Sequence, residues 1–330
     1  MHVYGKLPYK ELENLLHKLI SKDPQVIVGP RVGEDAAIIR VGDKVIAIHC
    51  DPITGAEKRI GWLAVNVASN DIATTGFRPK WILVVMLLPR KELLDEISEQ
   101  LRSAAAELGV KIIGGHTEIT PGLSRPIVMV TAIGEGDPGS YVTSSGVREG
   151  DRLILTKGAG IEGTAILAEE FYEKLASKLS KDLLDRARDF IKMISVVKDA
   201  MIAMEVGGVH AMHDPTEGGL LGGIQELAIA SNLGVIVRER DVLVRRETRA
   251  ICRVLGIDPY RLISSGSLLI AADPERAKDI VGRLKEEGIE AKIIGKFVKG
   301  RKRVFKTLRG EEIDLNEPVK EELWTALSIL

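Results

Sequence analysis

Apolar residues in the first half of this chain recur with a spacing that switches back and forth between about two and about 3.6, the periods of a strand and of a helix. "KVIAIHC", residues 44–50, is a strand-forming run. "RIGWLAVNVASNDIATTG", residues 59–76, has helical spacing, with Gly76 as its stop. "WILVVMLL", residues 81–88, predicts a buried strand, and "KELLDEISEQLRSAAAELG", residues 91–109, an amphipathic helix closed by Gly109. "VKIIGG" and "PIVMVTAIGEG" are strands again. Such alternation predicts an α/β or α+β domain.

The pattern resumes after a break. "GEGDPGSYVTSSGVREGD", residues 134–151, is rich in Gly, Ser and charge, which sets a domain boundary near Gly150. A chain of 330 residues then divides into two α/β domains, 1–150 and 151–330. The net charge of −1 offers no field to gather nucleic acid or an anionic membrane surface. "WILVVMLL" is the longest apolar run and far shorter than the roughly 20 residues a membrane helix needs. The opening "MHVYGKLPYKELE" lacks the apolar core of a signal peptide. Two cysteines, Cys50 and Cys252, make neither a disulfide framework nor a zinc cluster, so the expected location is cytoplasmic.

Function must therefore be sought in local motifs. "GEDAAII" sets Glu34 and Asp35 before an apolar run. As neighbours on an extended chain they point to opposite sides. A solvated turn would explain both, and so would a hard cation held by Asp35. Asp51 ends the strand 44–50, and Asp71 follows Asn70 among small apolar residues, where an unpartnered acid is costly. In "IIGGHTEITPG" an apolar strand runs into Gly114, Gly115, His116, Thr117 and Glu118. Glycines at a strand end let backbone N–H groups approach phosphate oxygens.

Gly158, Gly160 and Gly163 spell G-x-G-x-x-G, but the acid expected about 20 residues on falls in a helical stretch. A packing or phosphate-facing loop with Lys157 nearby is the better reading. In "HAMHDPTEGGL", Asp214 or Thr216 can cap a helix carrying Gly218 and Gly219, and such helix starts favour anions. His210 and His213 have no thiol or third histidine nearby in sequence to complete a zinc site.

Together "GEDAA", "DPITGA", "NDIATTGFRP", "GGHTEITPG", "GDRLILTKGAG" and "AMHDPTEGGL" resemble the AIR synthase-like (PurM-like) superfamily. That group includes AIR synthase, thiamine-monophosphate kinase, selenophosphate synthetase and the hydrogenase maturation protein HypE. The resemblance covers nearly the whole chain and is nearest to HypE at "MHDPTEGGL". It implies two α/β (α+β) domains, with the N-terminal sheets of two subunits paired in a homodimer and ATP with Mg²⁺ in a cleft there. By motif, Asp35, Asp51 and Asp71 would hold metal. Gly114, Gly115 and Thr117 would form the phosphate-side loop; the glycine loop and helix start read above add Lys157 and Thr216 as expected nucleotide contacts. Asp214, Gly218 and Gly219 would close on the phosphates, and Asp214 and His116 are the candidate catalytic residues.

The chain also departs from the HypE pattern. His116 stands where HypE and thiamine kinase carry an acid, leaving Glu118 to replace that ligand. Ser265 stands where HypE carries an acidic residue before a glycine, and HypE's terminal cysteine has no counterpart after Cys252. The expectation is an ATP- and Mg²⁺-dependent enzyme that phosphorylates an oxygen of a small-molecule or protein-bound substrate. The alternative is a non-catalytic nucleotide-binding accessory, a partner in a maturation complex.

Overall fold

The computed structural model describes residues 7–329 apart from Pro8 and Ser21. Residues 1–6, on which part of the signal-peptide reading rests, lie outside the described residues. Among the described residues no helix is long and apolar enough to cross a membrane.

An N-terminal helix α1 (Tyr9–Leu19) precedes a first sheet of β1 (Val26–Val28), β2 (Ala37–Val41), β3 (Lys44–Ile53), β4 (Pro79–Leu88), β5 (Lys111–Ile119) and β6 (Ile127–Gly136). Its order is β1-β2-β3-β6-β4-β5. All neighbours are antiparallel except β4 and β5. That parallel pair needs a crossover, which α3 (Leu94–Leu108) supplies. Gly109 closes α3 in the left-handed conformation, as its position after the last apolar residue predicts.

Along β3, β4 and β6 buried residues alternate with more exposed ones: Val45, Ala47, Ile82, Val84, Val128 and Val130 are buried, while the residues between them face outward. The buried face carries α2 (Ile60–Thr74). Every residue of α2 except Trp62 is buried, because it packs on β3 and β6 from one side and meets α7 and β8 of the second half from the other. A helix apolar all round must be covered all round. Each fully buried Leu or Ile there, such as Leu63 and Ile72, contributes roughly 1.5–3 kcal/mol.

The second half begins with β7 (Arg152–Thr156), then α4 (Ile161–Glu170), α5 (Tyr172–Ala176), α6 (Lys181–Arg188) and α7 (Val197–Val206). β8 (Val209–His213), α8 (Gly219–Ala230), β9 (Gly234–Arg238), α9 (Arg246–Leu255) and β10 (Leu269–Ala272) follow. The chain continues through α10 (Ala277–Glu286), β11 (Ala291–Val298), β12 (Arg303–Lys306), β13 (Glu312–Asp314) and α11 (Leu323–Ile329). The sheet order is β13-β12-β9-β11-β7-β10-β8, with only β12 and β9 parallel. Both sheets are therefore mixed and mostly antiparallel.

Candidate active site

Four aspartates from distant parts of the chain gather where α2 meets the second half. Asp35 precedes β2, Asp51 lies on β3, Asp71 on the last turn of α2, and Asp214 directly after β8. One carboxylate oxygen each from Asp35, Asp71 and Asp214 lie within 4.8 Å of one another. Asp51 lines the same cavity, which has a volume of about 590 Å³. The two-residue period of β3 puts His49 and Asp51 on the face of Val45 and Ala47, toward α2. His49 Nε2 accordingly lies 3.2 Å from Asp71 Oδ2.

Glu34 and Asp35 do point apart. The Glu34 carboxylate accepts the backbone N–H groups of Ser144 at 3.0 Å and Ser145 at 3.1 Å, while Asp35 faces the cluster. Asp35 is steadied by His213, which is only 3% exposed. His213 Nδ1 is 2.6 Å from Asp35 Oδ1, and Nε2 is 2.9 Å from Glu226 Oε2. Burial opposes charge on this ring, but the two carboxylates outweigh it and hold its pKa well above the usual histidine value.

The cluster carries more carboxylates than cationic partners: His213 pairs with Asp35 and His49 lies against Asp71, and no lysine or arginine lines the cavity among the described residues. Burial, then the charge of Asp35, pushes Asp214 up to about 7. Among the described residues neither Asp214 oxygen nor Asp35 Oδ2 has a close hydrogen-bond partner, and the His213 charge and the Asn70 amide oppose the Asp214 shift only in part. Unpartnered buried carboxylate oxygens are costly, and oxygen-only donors suit a hard divalent cation. Asp35, Asp71 and Asp214, with Asp51 beside them, thus fit Mg²⁺.

Several sequence expectations are corrected. Gly114, Gly115, His116, Thr117 and Glu118 lie inside β5, not at a strand end, and β5 is the exposed edge of its sheet. They do not line the acidic cavity. His116 and Glu118 pair with each other at 3.2 Å, and Glu118 also accepts the Thr120 hydroxyl at 2.7 Å. Gly115 has a φ of 148°, and a Cβ there would stand 1.8 Å from the Val84 carbonyl oxygen. Close approach of β5 to β4 therefore explains this glycine. Glu118 is not brought to the aspartates within one chain.

Lys157 is also engaged elsewhere. Its ammonium pairs with Asp199 at 3.1 Å and donates to the carbonyls of Ser195 at 2.6 Å and Met193 at 3.1 Å. The G-x-G-x-x-G loop is a packing device: Gly158, Ala159, Gly160 and Gly163 donate to Thr156 O, Leu243 O, Ser264 Oγ and Ile263 O. His210 pairs with Asp151 at 2.9 Å, so the two histidines do not meet over a zinc site.

Thr216 lines the cavity, but neither it nor Asp214 caps α8. Gly218 N–H instead donates to Glu321 Oε2 at 2.5 Å, and Gly219 N–H to Thr216 O. A Cβ on Gly219 would meet Leu262 O at 2.5 Å, so this glycine permits close backbone packing. The same Glu321 carboxylate also accepts the N–H groups of Ile263 at 3.1 Å and Leu323 at 2.7 Å. Burial raises it to about 7 against the pull of these donors.

Sequence reasoning missed Glu321, and it missed Glu162, a residue of α4 that lines the cavity and is 3% exposed. Burial pushes Glu162 up to about 7; the charges of Asp214 and Asp51 add to this, and Ser265 opposes it. The available signal was an acid placed between Gly160 and Gly163 in an otherwise apolar helix start.

Two family models match this chain: AIR synthase related protein, N-terminal domain, over residues 33–135, and AIR synthase related protein, C-terminal domain, over residues 148–307. Among curated relatives, the carbamoyl dehydratase HypE of Azotobacter vinelandii is 32% identical over 72% of this chain and 70% of its own. The selenide, water dikinase of Pelobacter propionicus is 30% identical over 89% and 92%. A crystal structure of the hydrogenase maturation protein HypE in complex with ATP superposes with a TM-score of 0.71 at 25% identity, covering 93% of this chain and 90% of that one. With both halves matched in order and the acids of the motifs gathered in one cleft, the chain belongs to the AIR synthase related protein family.

Proposed function

We propose that the protein is an ATP- and Mg²⁺-dependent enzyme that activates an oxygen of a small-molecule or protein-bound acceptor by phosphorylation, within hydrogenase maturation. One observation carries this reading: three carboxylates converge within 4.8 Å in a cavity of about 590 Å³, and among the described residues two of them have oxygens with no close hydrogen-bond partner. The likeness to a carbamoyl dehydratase and to an ATP-bound HypE supports it.

Asp35, Asp71 and Asp214 would hold the metal, with Asp51 beside them; when bound, Mg²⁺ offsets the charge of the triphosphate. His213 keeps Asp35 in place from the second half of the chain. Glu321 fixes the turn at Gly218 and sets Leu323 and Trp324 on the cavity wall. Neither cysteine is suited to carry the acceptor group. Cys252 is buried, with burial pushing its thiol up to about 12, and Cys50 points outward from β3 beside Thr131. Buried thiols at such a pKa are inert.

The reading includes a second copy of the chain. The outward face of the first sheet is apolar, from half-buried Ile46 and Ile48 on β3 to Leu83, 37% exposed, on β4. Open apolar faces of this kind mark association surfaces.

Calorimetry tests the central proposal. ATP is expected to bind in Mg²⁺ and to lose most of its affinity in EDTA. Equal affinity in both buffers, or none in either, would refute it.

A further inference from the structure

A second pocket, of about 380 Å³, opens at one end of the second sheet, between the segments that follow β7 and β9, the end of α10 and the start of β11. It shares no residue with the acidic cleft. Its size is that of a small-molecule site. Backbone bonds hold its walls: Lys157 N–H donates to Glu290 O at 2.7 Å, and Ala159 N–H to Leu243 O at 2.9 Å. The floor is apolar, with Leu155 3% and Val242 6% exposed and Leu243 half-buried.

The charge at the mouth has the opposite sign to that of the cleft. Arg240, Lys285 and Lys292 are exposed there, against one lining acid, Glu290. Glu290 already meets Arg245 at 3.5 Å. Beside the pocket, Asp241 pairs with Arg238 at 2.6 Å, which leaves Lys292 at 3.4 Å and Arg240 at 4.0 Å to share that one carboxylate. Lys285 forms no ion pair among the described residues. Lys157 adds only its stem, since its ammonium is committed to Asp199. Cations therefore outnumber their partners here, in a chain whose net charge is −1.

An apolar floor under a cationic mouth suits an anion with an apolar body. The body covers the floor, and the head meets the guanidinium and ammonium groups. Three cations around one mouth suit a dianion better than a monoanion, and the Arg240 fork matches two phosphate oxygens. We propose that this pocket is a second ligand site, which takes a small organic phosphate with its apolar body on Leu155, Val242 and Leu243 and its phosphate at Arg240, Lys285 and Lys292. The assignment is independent of what the acidic cleft does.

Methyl-resolved NMR on the full chain, with Ile, Leu and Val labelled and 1-naphthyl phosphate as the probe, tests it. Shifts are expected at Leu155, Val242 and Leu243 and not at Ile53, Ile166 and Ile263, which line the cleft. Naphthol and inorganic phosphate, each carrying half of the recognised chemistry, are expected to bind at least about 10-fold more weakly. Arg240→Gln and Lys285→Gln are each expected to weaken the ester by about 3- to 10-fold, with an unchanged melting temperature. Absence of binding, shifts confined to the cleft, naphthol binding as tightly as the ester, or full affinity in the folded double variant would each overturn the site.

Discussion

Residues 114–118, Gly-Gly-His-Thr-Glu, and residues 213–219, His-Asp-Pro-Thr-Glu-Gly-Gly, are written in nearly the same letters, yet the fold treats them oppositely. The first is an open edge strand, where the His116 side chain is 63% exposed and pairs with Glu118, itself 48% exposed. The second ends an edge strand of the other sheet, but α2 lies over it, and His213 is locked between two carboxylates at 3% exposure. What separates them is cover. A histidine and an acid in water are worth little to each other, whereas the same pair sealed under a helix cannot lose one partner without leaving a buried charge.

The sharpest way to break this comparison is to remove each histidine in turn. His213→Ala leaves Asp35 and Glu226 facing each other in the interior and is expected to destabilise the fold by about 3–5 kcal/mol. His116→Ala is expected to leave the melting temperature almost unchanged. Thermal melts of the two variants check this, and equal losses would mean that β5 is as constrained as the cleft.

A smaller, pH-dependent effect should come from the acids themselves. In the metal-free chain Asp214 and Glu162 are raised to about 7 from 3.8 and 4.5. Groups raised in this way contribute stability that is fully present below those ordinary values and is lost as pH climbs through about 7. The metal-free protein is therefore expected to melt lower at pH 8 than at pH 6. Mg²⁺ should restore more at pH 8, where the carboxylates are ionised. Asp214→Asn should flatten the pH dependence and lose the Mg²⁺ response. Melts across pH with and without the metal decide it; a Mg²⁺ response unchanged in Asp214→Asn would remove that residue from the site.

The smallest changes in stability belong to the open face. Leu83→Glu is expected to keep the melting temperature of the isolated chain while converting a dimer to a monomer in light scattering. Glu118→Gln should alter neither. A drop in ATP affinity with Glu118→Gln, at unchanged stability, would sharpen the contrast in another direction: it would mean that β5 acts on a neighbouring copy's cleft.

Much of this architecture could be read from local pattern. The alternation of residues 44–50 and 81–88 sorts the side chains of β3 and β4 into two faces, and the all-round apolar character of residues 59–76 requires a helix covered on every side. Asp71 on that helix was legible as a costly residue needing a partner. Cys50 shows where this reading stopped short. It does share a face with Ile46 and Ile48, as spacing predicts, but that face is the outward one and Cys50 is exposed. Periodicity says which residues lie together and cannot say which face the chain itself will cover.

The sequence by itself determined the elements, their amphipathic faces, the family motifs and the presence of acids in unfavourable surroundings, because these depend on residues a few positions apart. Only the tertiary structure decided that Asp214 joins Asp35 and Asp71, that Glu162 enters the cleft, that Glu321 replaces a side-chain helix cap, and that Lys157 and Glu118 do not line the cleft of their own chain. Each of those outcomes depends on which distant segment arrives to desolvate or pair a charge, and the energy of a charge is set by its surroundings in space rather than by its neighbours along the chain.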